Sequence, residues 1–303
     1  MEKTVNKKKI SKQGMSDAAF NTFLLVLITI ILLIELYPMI FVVSSSFSSG
    51  NAINSGRVLL WPVEFSVKGY EMVFKNRMIW SGYGNTIIYV VGGTITNLFF
   101  TVCGAYPLSR RGYCIKGFIV KFLTISLFFG GGLIATYIWV NDLGLVNTRT
   151  WMIISGAVSI SHIILMRTFF QTGVPEELLE SAKMDGISDI GYLFKIVLPL
   201  SKAVISVITL YCIVGKWNEF FGPMLYLRDR EKYPLILVTN EILVGAKFNT
   251  AEVADQNLVE QMAAIVDTMK YALIMVSTVP MLVLYPFVQK FFEKGVTVGS
   301  IKG

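Results

Sequence analysis

Six long apolar stretches constrain this chain more than anything else in it. Crossing the hydrocarbon of a bilayer takes about 20 helical residues. Stretches of that length run near 20–43, 83–106, 117–140, 151–170, 203–226 and 268–287. They make 54% of the 303 residues hydrophobic, leave 16% charged and raise the mean hydropathy to +0.61. Soluble domains carry about 25% charged residues. A soluble fold of this length cannot hide so much apolar side chain, so the excess faces lipid. The expected fold class is all-α: a polytopic membrane protein of six transmembrane helices. Its parts are an N-terminal tail over 1–19, a helical domain over 20–290 and a C-terminal tail over 291–303.

Charge placement then sets orientation. The net charge of +7 could signal nucleic acid, but the basic residues lie at the ends of apolar stretches rather than along one face of a soluble domain. An even helix count puts both termini on one side. That side holds Lys3, Lys7, Lys8, Lys9 and Lys12, then Arg110, Arg111 and Lys116, and finally Lys290, Lys294 and Lys302. On the other side the cations are thinly spread over long loops. Short basic segments stay in the cytoplasm, so both termini are expected there. The N-terminal lysines and Ser44-Ser45-Ser46 could also belong to a cleaved signal peptide. The first apolar stretch exceeds the ~7–15 residues of such a peptide's core, which favours a retained anchor.

The chemistry-bearing residues are sparse. Cys103, Cys114 and Cys212 show neither metal-ligand spacing nor a disulfide framework, and read as small apolar fillers. No GxxxxGK[ST] phosphate loop occurs, so no ATP cofactor is expected on this chain, and no metal either; ATP belongs on a separate one. His162 is the sole histidine and reads as a packed or hydrogen-bonded side chain. Glu35 interrupts the first stretch, where a central carboxylate costs ~2.5–3.5 kcal/mol, so it is expected to turn toward the bundle or an interface. Asn85 and Asn97 could cross-link helices or line a path. Trp217, Asn218 and Glu219 combine an apolar face with polar groups, as sugar stacking needs; an interfacial aromatic belt explains them equally well, as it does Tyr137 and Trp139. The first outer loop, with Gly50, Gly56, Trp61, Pro62 and Gly69, suits a folded loop.

The segment over 173–202 has more pattern than a connector needs: GVPEELLESAKMDGISDIGYLFKIVLPLSK. Pro175, Glu176 and Glu177 suit a first helical turn. Leu178, Leu179 and Ala182 then give an apolar stripe. Gly186 permits a turn at positive φ. Ser188 and Asp189 start a second short helix whose apolar face is Ile190, Leu193, Phe194 and Val197, and Pro199 punctuates the entry to the fifth long helix. Two short helices at a sharp turn make a knob for docking into another protein; without a partner they would be an interfacial helix pair.

Glu180-Ser181-Ala182, three residues, Gly186, nine residues, Ile196, one residue and Leu198-Pro199 resembles the Glu-Ala-Ala signature of binding-protein-dependent ABC importer permeases, with Ser181 in place of the first Ala. A Gly and a Pro at two fixed places coincide by chance in about 0.35% of cases, from usages of ~7% and ~5%. Earlier in the chain, Ala105-Tyr106-Pro107-Leu108-Ser109-Arg110, Gly131-Gly132-Leu133-Ile134, Leu143-Gly144-Leu145-Val146-Asn147-Thr148 and Leu165-Met166-Arg167-Thr168-Phe169-Phe170 are similar to carbohydrate-uptake permeases of the maltose type. Their complex-oligosaccharide subgroup matches best. Ala135 departs from it by replacing a proline, which puts a kink in the third helix in doubt.

The resemblance implies a type I importer permease that is not itself an enzyme. It would pair with a second permease subunit, a dimeric ATP-binding subunit and an extracytoplasmic solute-binding protein in a bacterial cell membrane, and it would pass a carbohydrate. It places Glu180, Ala182, Asp185 and Gly186 at the ATPase-coupling contact, and the tail residues Gly299, Lys302 and Gly303 against the ATPase. For the sugar path, Tyr89, Tyr137, Trp217 and Asn218 would supply aromatic faces and neutral polar groups. The competing reading is a self-sufficient secondary carrier for a small polar solute. That class needs ionisable groups within the membrane, for which only Glu35, His162 and Asp267 qualify, and it leaves the knob unexplained.

Overall fold

The computed structural model describes residues 7–251 and 266–286. Helices occupy all six predicted stretches, and no strand occurs among the described residues. In chain order they are α1 (Lys7–Ser46), α2 (Gly50–Asn54), α3 (Lys68–Lys75), α4 (Arg77–Ser109), α5 (Lys116–Ser126), α6 (Leu133–Asp142), α7 (Arg149–Ile154), α8 (Ile160–Gly173), α9 (Glu177–Met184), α10 (Asp189–Tyr192), α11 (Leu198–Leu200), α12 (Lys202–Trp217), α13 (Phe221–Tyr226), α14 (Leu235–Ala251) and α15 (Val266–Pro286).

Three of the six predicted spans are continuous and three are broken. The helices α1, α4 and α15 each contain a stretch long and apolar enough to cross a membrane. The third span divides between α5 and α6 at Gly130-Gly131-Gly132, with Gly132 at φ +80°. Its interruption is therefore set by glycine and precedes Ala135. The fourth divides between α7 and α8, where Gly156 sits at φ +81°. The fifth divides between α12 and α13. The segment Asp189–Leu200 also meets α12 at 79°. Pro199 has no N–H to extend the ladder, and a π-helical turn over Leu193–Val197 precedes it.

The structure adds a helix where the sequence reading expects a long loop. The apolar run Leu235–Val244 within α14 is too short to span a membrane. It packs on α4 instead: Leu235 N–H donates to Thr86 Oγ1 at 2.8 Å, and Leu235 and Val238 are buried.

Two compact units make up the chain: Met1–Val73 with Ala246–Met275, and Phe74–Gly245 with Val276–Gly303. In the first, α1 leaves its apolar side chains exposed from Phe20 to Val43, as a lipid-facing helix does, and Glu35 is exposed among them. The loop after it is folded, as expected. Ser44 Oγ donates to Leu60 O at 2.7 Å, Tyr70 O–H donates to Ser46 Oγ at 2.8 Å, and Phe47 stacks on Phe65 at 5.8 Å. Trp61 remains 80% exposed, as an interfacial aromatic does. Close approach fixes Gly69, where a Cβ would lie 2.6 Å from Thr268 O.

In the second unit α4 is the central column, with α7, α8 and α12 packed around it. Along α4 the buried positions Gly93, Thr94, Asn97, Thr101 and Ala105 are small or polar, the composition that lets membrane helices approach closely. One core gathers Phe170, Met166, Ile208, Tyr192 and Val197; another gathers Tyr89, Val140, Met152, Tyr226 and Leu227.

Candidate functional site

The predicted knob over 173–202 is present, and its turn has a definite construction. The helix α9 is capped at its C-terminus by Asp185, and Gly186 follows at φ +73°. Gly186 N–H donates to Lys183 O at 3.1 Å, and Ile187 N–H to Ala182 O at 2.9 Å. This pair of bonds closes a helix on a left-handed residue and satisfies two of its last carbonyls. Within the chain a Cβ at Gly186 would meet nothing within 4 Å. The backbone angle alone therefore calls for glycine here. The second helix starts where expected, with Ser188 Oγ accepting from Gly191 N–H at 3.1 Å.

Burial divides the knob into an inner and an outer face. Ala182, Tyr192 and Val197 are buried in the same core as Phe170 and Ile208. Glu180, Asp185 and Gly186 are exposed, and so are Met184 at 89%, Ile190 at 71% and Phe194 at 63%. Ser181 also falls on the exposed side, its hydroxyl donating to Glu177 O at 3.0 Å. The departure from the signature is thus accommodated at the surface, whereas position 182 has no room. Exposed apolar side chains of this kind mark a surface that meets another protein or the membrane. Behind it a cleft of ≈ 700 Å³ separates the knob from the end of α4. Arg111 reaches Glu176 at 2.7 Å beside this cleft. Nearby, Arg110 lies over the rings of Tyr106 and Tyr192 at 5.0 and 5.7 Å, and Tyr106 O–H donates to Asp189 O at 3.0 Å.

The four residues expected along a sugar path do not converge on one place. Tyr89 is buried and donates to Lys232 O at 2.7 Å. Tyr137 packs against the same core and stacks on Tyr226 at 5.7 Å. Trp217 turns inward, its Nε1–H donating to Ser277 O at 3.2 Å, while Asn218 is exposed and donates to Val214 O. Asn85 and Asn97 both act as cross-links. Asn85 Nδ2 donates to Glu231 O and Tyr233 O at 2.7 and 3.0 Å, and Asn97 Nδ2 to Gly156 O at 2.8 Å. Asn97 Oδ1 lies 2.9 Å from His162 Nδ1, which makes that nitrogen the protonated one.

Sequence reasoning missed Lys216. Its Nζ donates to Met152 O, Ser155 Oγ and Glu219 Oε2 at 3.1, 2.9 and 2.8 Å, with its side chain 14% exposed. A lysine inside the apolar stretch 203–226, three residues before a glutamate, was the available signal: ionisable residues within a span are rare and pair with one another. Among the described residues no cluster of three or more His, Cys, Asp or Glu could hold a metal ion. The tail residues Gly299, Lys302 and Gly303 lie outside the described residues.

The profile of the family described as binding-protein-dependent transport system inner membrane component matches residues 101–298. Protein LplC of Bacillus subtilis is 37% identical over 272 residues, covering 89% of this chain and 90% of that protein. The polygalacturonan/rhamnogalacturonan transport system permease protein YtcP of the same organism is 32% identical, covering 95% and 100%. Among solved structures, a chain of a bacterial ABC transporter involved in the import of the acidic polysaccharide alginate superposes with a TM-score of 0.82 at 34% identity. That match covers 91% of this chain and 98% of the other. With the signature turn at Gly186 and these matches, the chain belongs to the binding-protein-dependent ABC importer permeases.

Proposed function

We propose that this permease carries half of the path by which an oligosaccharide enters a bacterial cell, and that it docks a separate, dimeric ATPase through 173–202. The observation that carries the docking reading is the two-faced knob: an inner face anchored on Ala182, Tyr192 and Val197, and an outer face of Met184, Ile190 and Phe194 around Glu180 and Gly186. Glu180 pairs with a cation on the ATPase, and the turn at Gly186 seats in its cleft. A second permease closes the path, and an extracytoplasmic binding protein delivers the sugar. Relatives named for polygalacturonan, rhamnogalacturonan and alginate support a saccharide cargo, including an acidic one. The distribution of lysine and arginine supports both termini in the cytoplasm.

Two experiments test this reading. The first assembles the chain with its ATPase, partner permease and binding protein in proteoliposomes and measures uptake of tri-galacturonate, a neutral galactose trisaccharide and a tripeptide. ATP-dependent uptake of a trisaccharide is expected; uptake of the tripeptide alone overturns the cargo, and ion-driven uptake by this chain alone overturns the importer. The second places single cysteines at Ser55 and Ser188 on a cysteine-free background. An impermeant reagent on intact cells should label the first and spare the second, and the opposite pattern reverses the orientation.

A further inference from the structure

The breaks in the third and fourth spans are finished very differently. Around Gly156 the freed backbone is met from within the chain, by Asn97 Nδ2 on Gly156 O and Lys216 Nζ on Met152 O. The break at Gly130-Gly131-Gly132 has no such cover. Its three glycines are exposed, and a Cβ at any of them would meet nothing within 4 Å. Among the described residues the N–H groups of 129–132 find no acceptor, and Gly132 starts α6 without a side-chain cap. Depth makes this costly. At 1.5 Å per helical residue, Gly131 lies about 21 Å along the apolar stretch 117–140, well inside a hydrocarbon core of ~30 Å. Irregular backbone at that depth does not face lipid: it is buried in protein or lines a water-filled cavity.

We infer that residues 128–134 form a surface on which this chain receives the second permease subunit. The inference rests on the reading above that a second permease closes the path. Water is a poor occupant, because Phe128, Phe129, Leu133 and Ile134 flank the glycines and all four are exposed apolar side chains. Lipid is a worse one, since its tails offer no acceptor to the free N–H groups. A protein helix supplies both apolar side chains and acceptors. Membrane helices associate through small residues that let their backbones approach closely. Gly130-Gly131-Gly132 is the longest run of glycine in the chain, so for three residues a partner backbone meets no Cβ. The same N–H groups state what that partner must bring. It presents a Ser, Thr, Asn or Gln side chain, or a carbonyl freed by a break of its own, to the backbone of 129–132.

Gly131 is the position that tests this most cleanly. Its backbone is not left-handed, and a side chain there touches nothing in this chain, so Gly131→Leu spares the chain's own fold. Co-expressed with its ATPase, partner permease and binding protein, the Gly131→Leu chain should retain about tenfold less second permease on purification. Gly131→Ala should fall between it and the unsubstituted protein. Independently of any loss of assembly, a photo-reactive benzoylphenylalanine in place of Phe129 should cross-link to the second permease in the assembled complex. A cysteine introduced by Gly131→Cys on a cysteine-free background should there stay unreactive toward a small hydrophilic thiol reagent. Full retention of the second permease by Gly131→Leu, or cross-linking of position 129 to lipid alone, overturns the contact. Rapid reaction of the cysteine does so too, by showing a water-filled path in its place. A second permease missing from the unsubstituted complex overturns the contact and the reading beneath it together.

Discussion

The knob over 173–202 and the open cavity of ≈ 350 Å³ lined by α4, α12 and the break between α7 and α8 belong to the same compact unit, yet they are held by opposite means. The knob is secured by local backbone bonds and by apolar burial. Its turn is closed at Gly186, its second helix is capped by Ser188, and its inner face is sunk in the core. The cavity wall is secured by polar bonds between residues far apart in the chain: Asn97 with Gly156 and His162, and Lys216 with Met152 and Ser155. A docking surface must hold one shape while facing another protein, and caps with burial give that. A wall at membrane depth must instead satisfy every freed carbonyl without filling the cavity, which long polar side chains from neighbouring helices do.

If this contrast is right, the largest effects should come from the cavity wall. Replacing Lys216 with Met leaves the partly exposed Glu219, Met152 O and Ser155 Oγ all without their cation, and an unsatisfied partner costs ~1–3 kcal/mol, more for a charged one. The melting temperature of the purified complex should fall steeply, and Lys216→Met with Glu219→Gln should recover most of the loss. A double variant no better than the single one would mean that the pair is not the contact that matters. Asn97→Ala should come next, because it strands Gly156 O and His162 Nδ1 at a cost of ~1–3 kcal/mol. Its signature is faster amide exchange around 156–162, while exchange over 177–192 stays unchanged. The smallest effect is Ser188→Ala in the knob, a lost helix cap worth ~1 kcal/mol. A larger loss there than at Asn97 would reverse the contrast.

The same contrast explains what the sequence made legible. Both short helices of the knob were readable because their information is local: Pro175, Gly186, Ser188 and Pro199 each act within a few residues of themselves. The six apolar stretches were readable for the same reason, since apolar length is summed along the chain. The breaks were not. Gly156 and its serine neighbours lower hydropathy too little to interrupt an apolar window, and what stabilises the unwound backbone is Asn97 and Lys216, some sixty residues away in either direction. The helix α14 escaped because its apolar run is too short for a span and its burial depends on Thr86 and Gly82 of α4. The path residues Tyr89 and Trp217 were chosen by type, and type does not say which way a ring turns.

The measurement that tests the account most directly is ATP-driven trisaccharide uptake by a complex carrying Gly186→Leu, read together with the amount of ATPase that co-purifies. A leucine at φ +73° is strained by about 1–2 kcal/mol, too little to unfold the membrane helices, and it alters the face proposed to meet the ATPase. The account predicts that the chain still inserts and melts within a few degrees of the unsubstituted protein, while retained ATPase and uptake both fall by about tenfold or more. Undiminished uptake with a full complement of ATPase would contradict it, and the turn at Gly186 would then be a feature of the fold with no part in coupling.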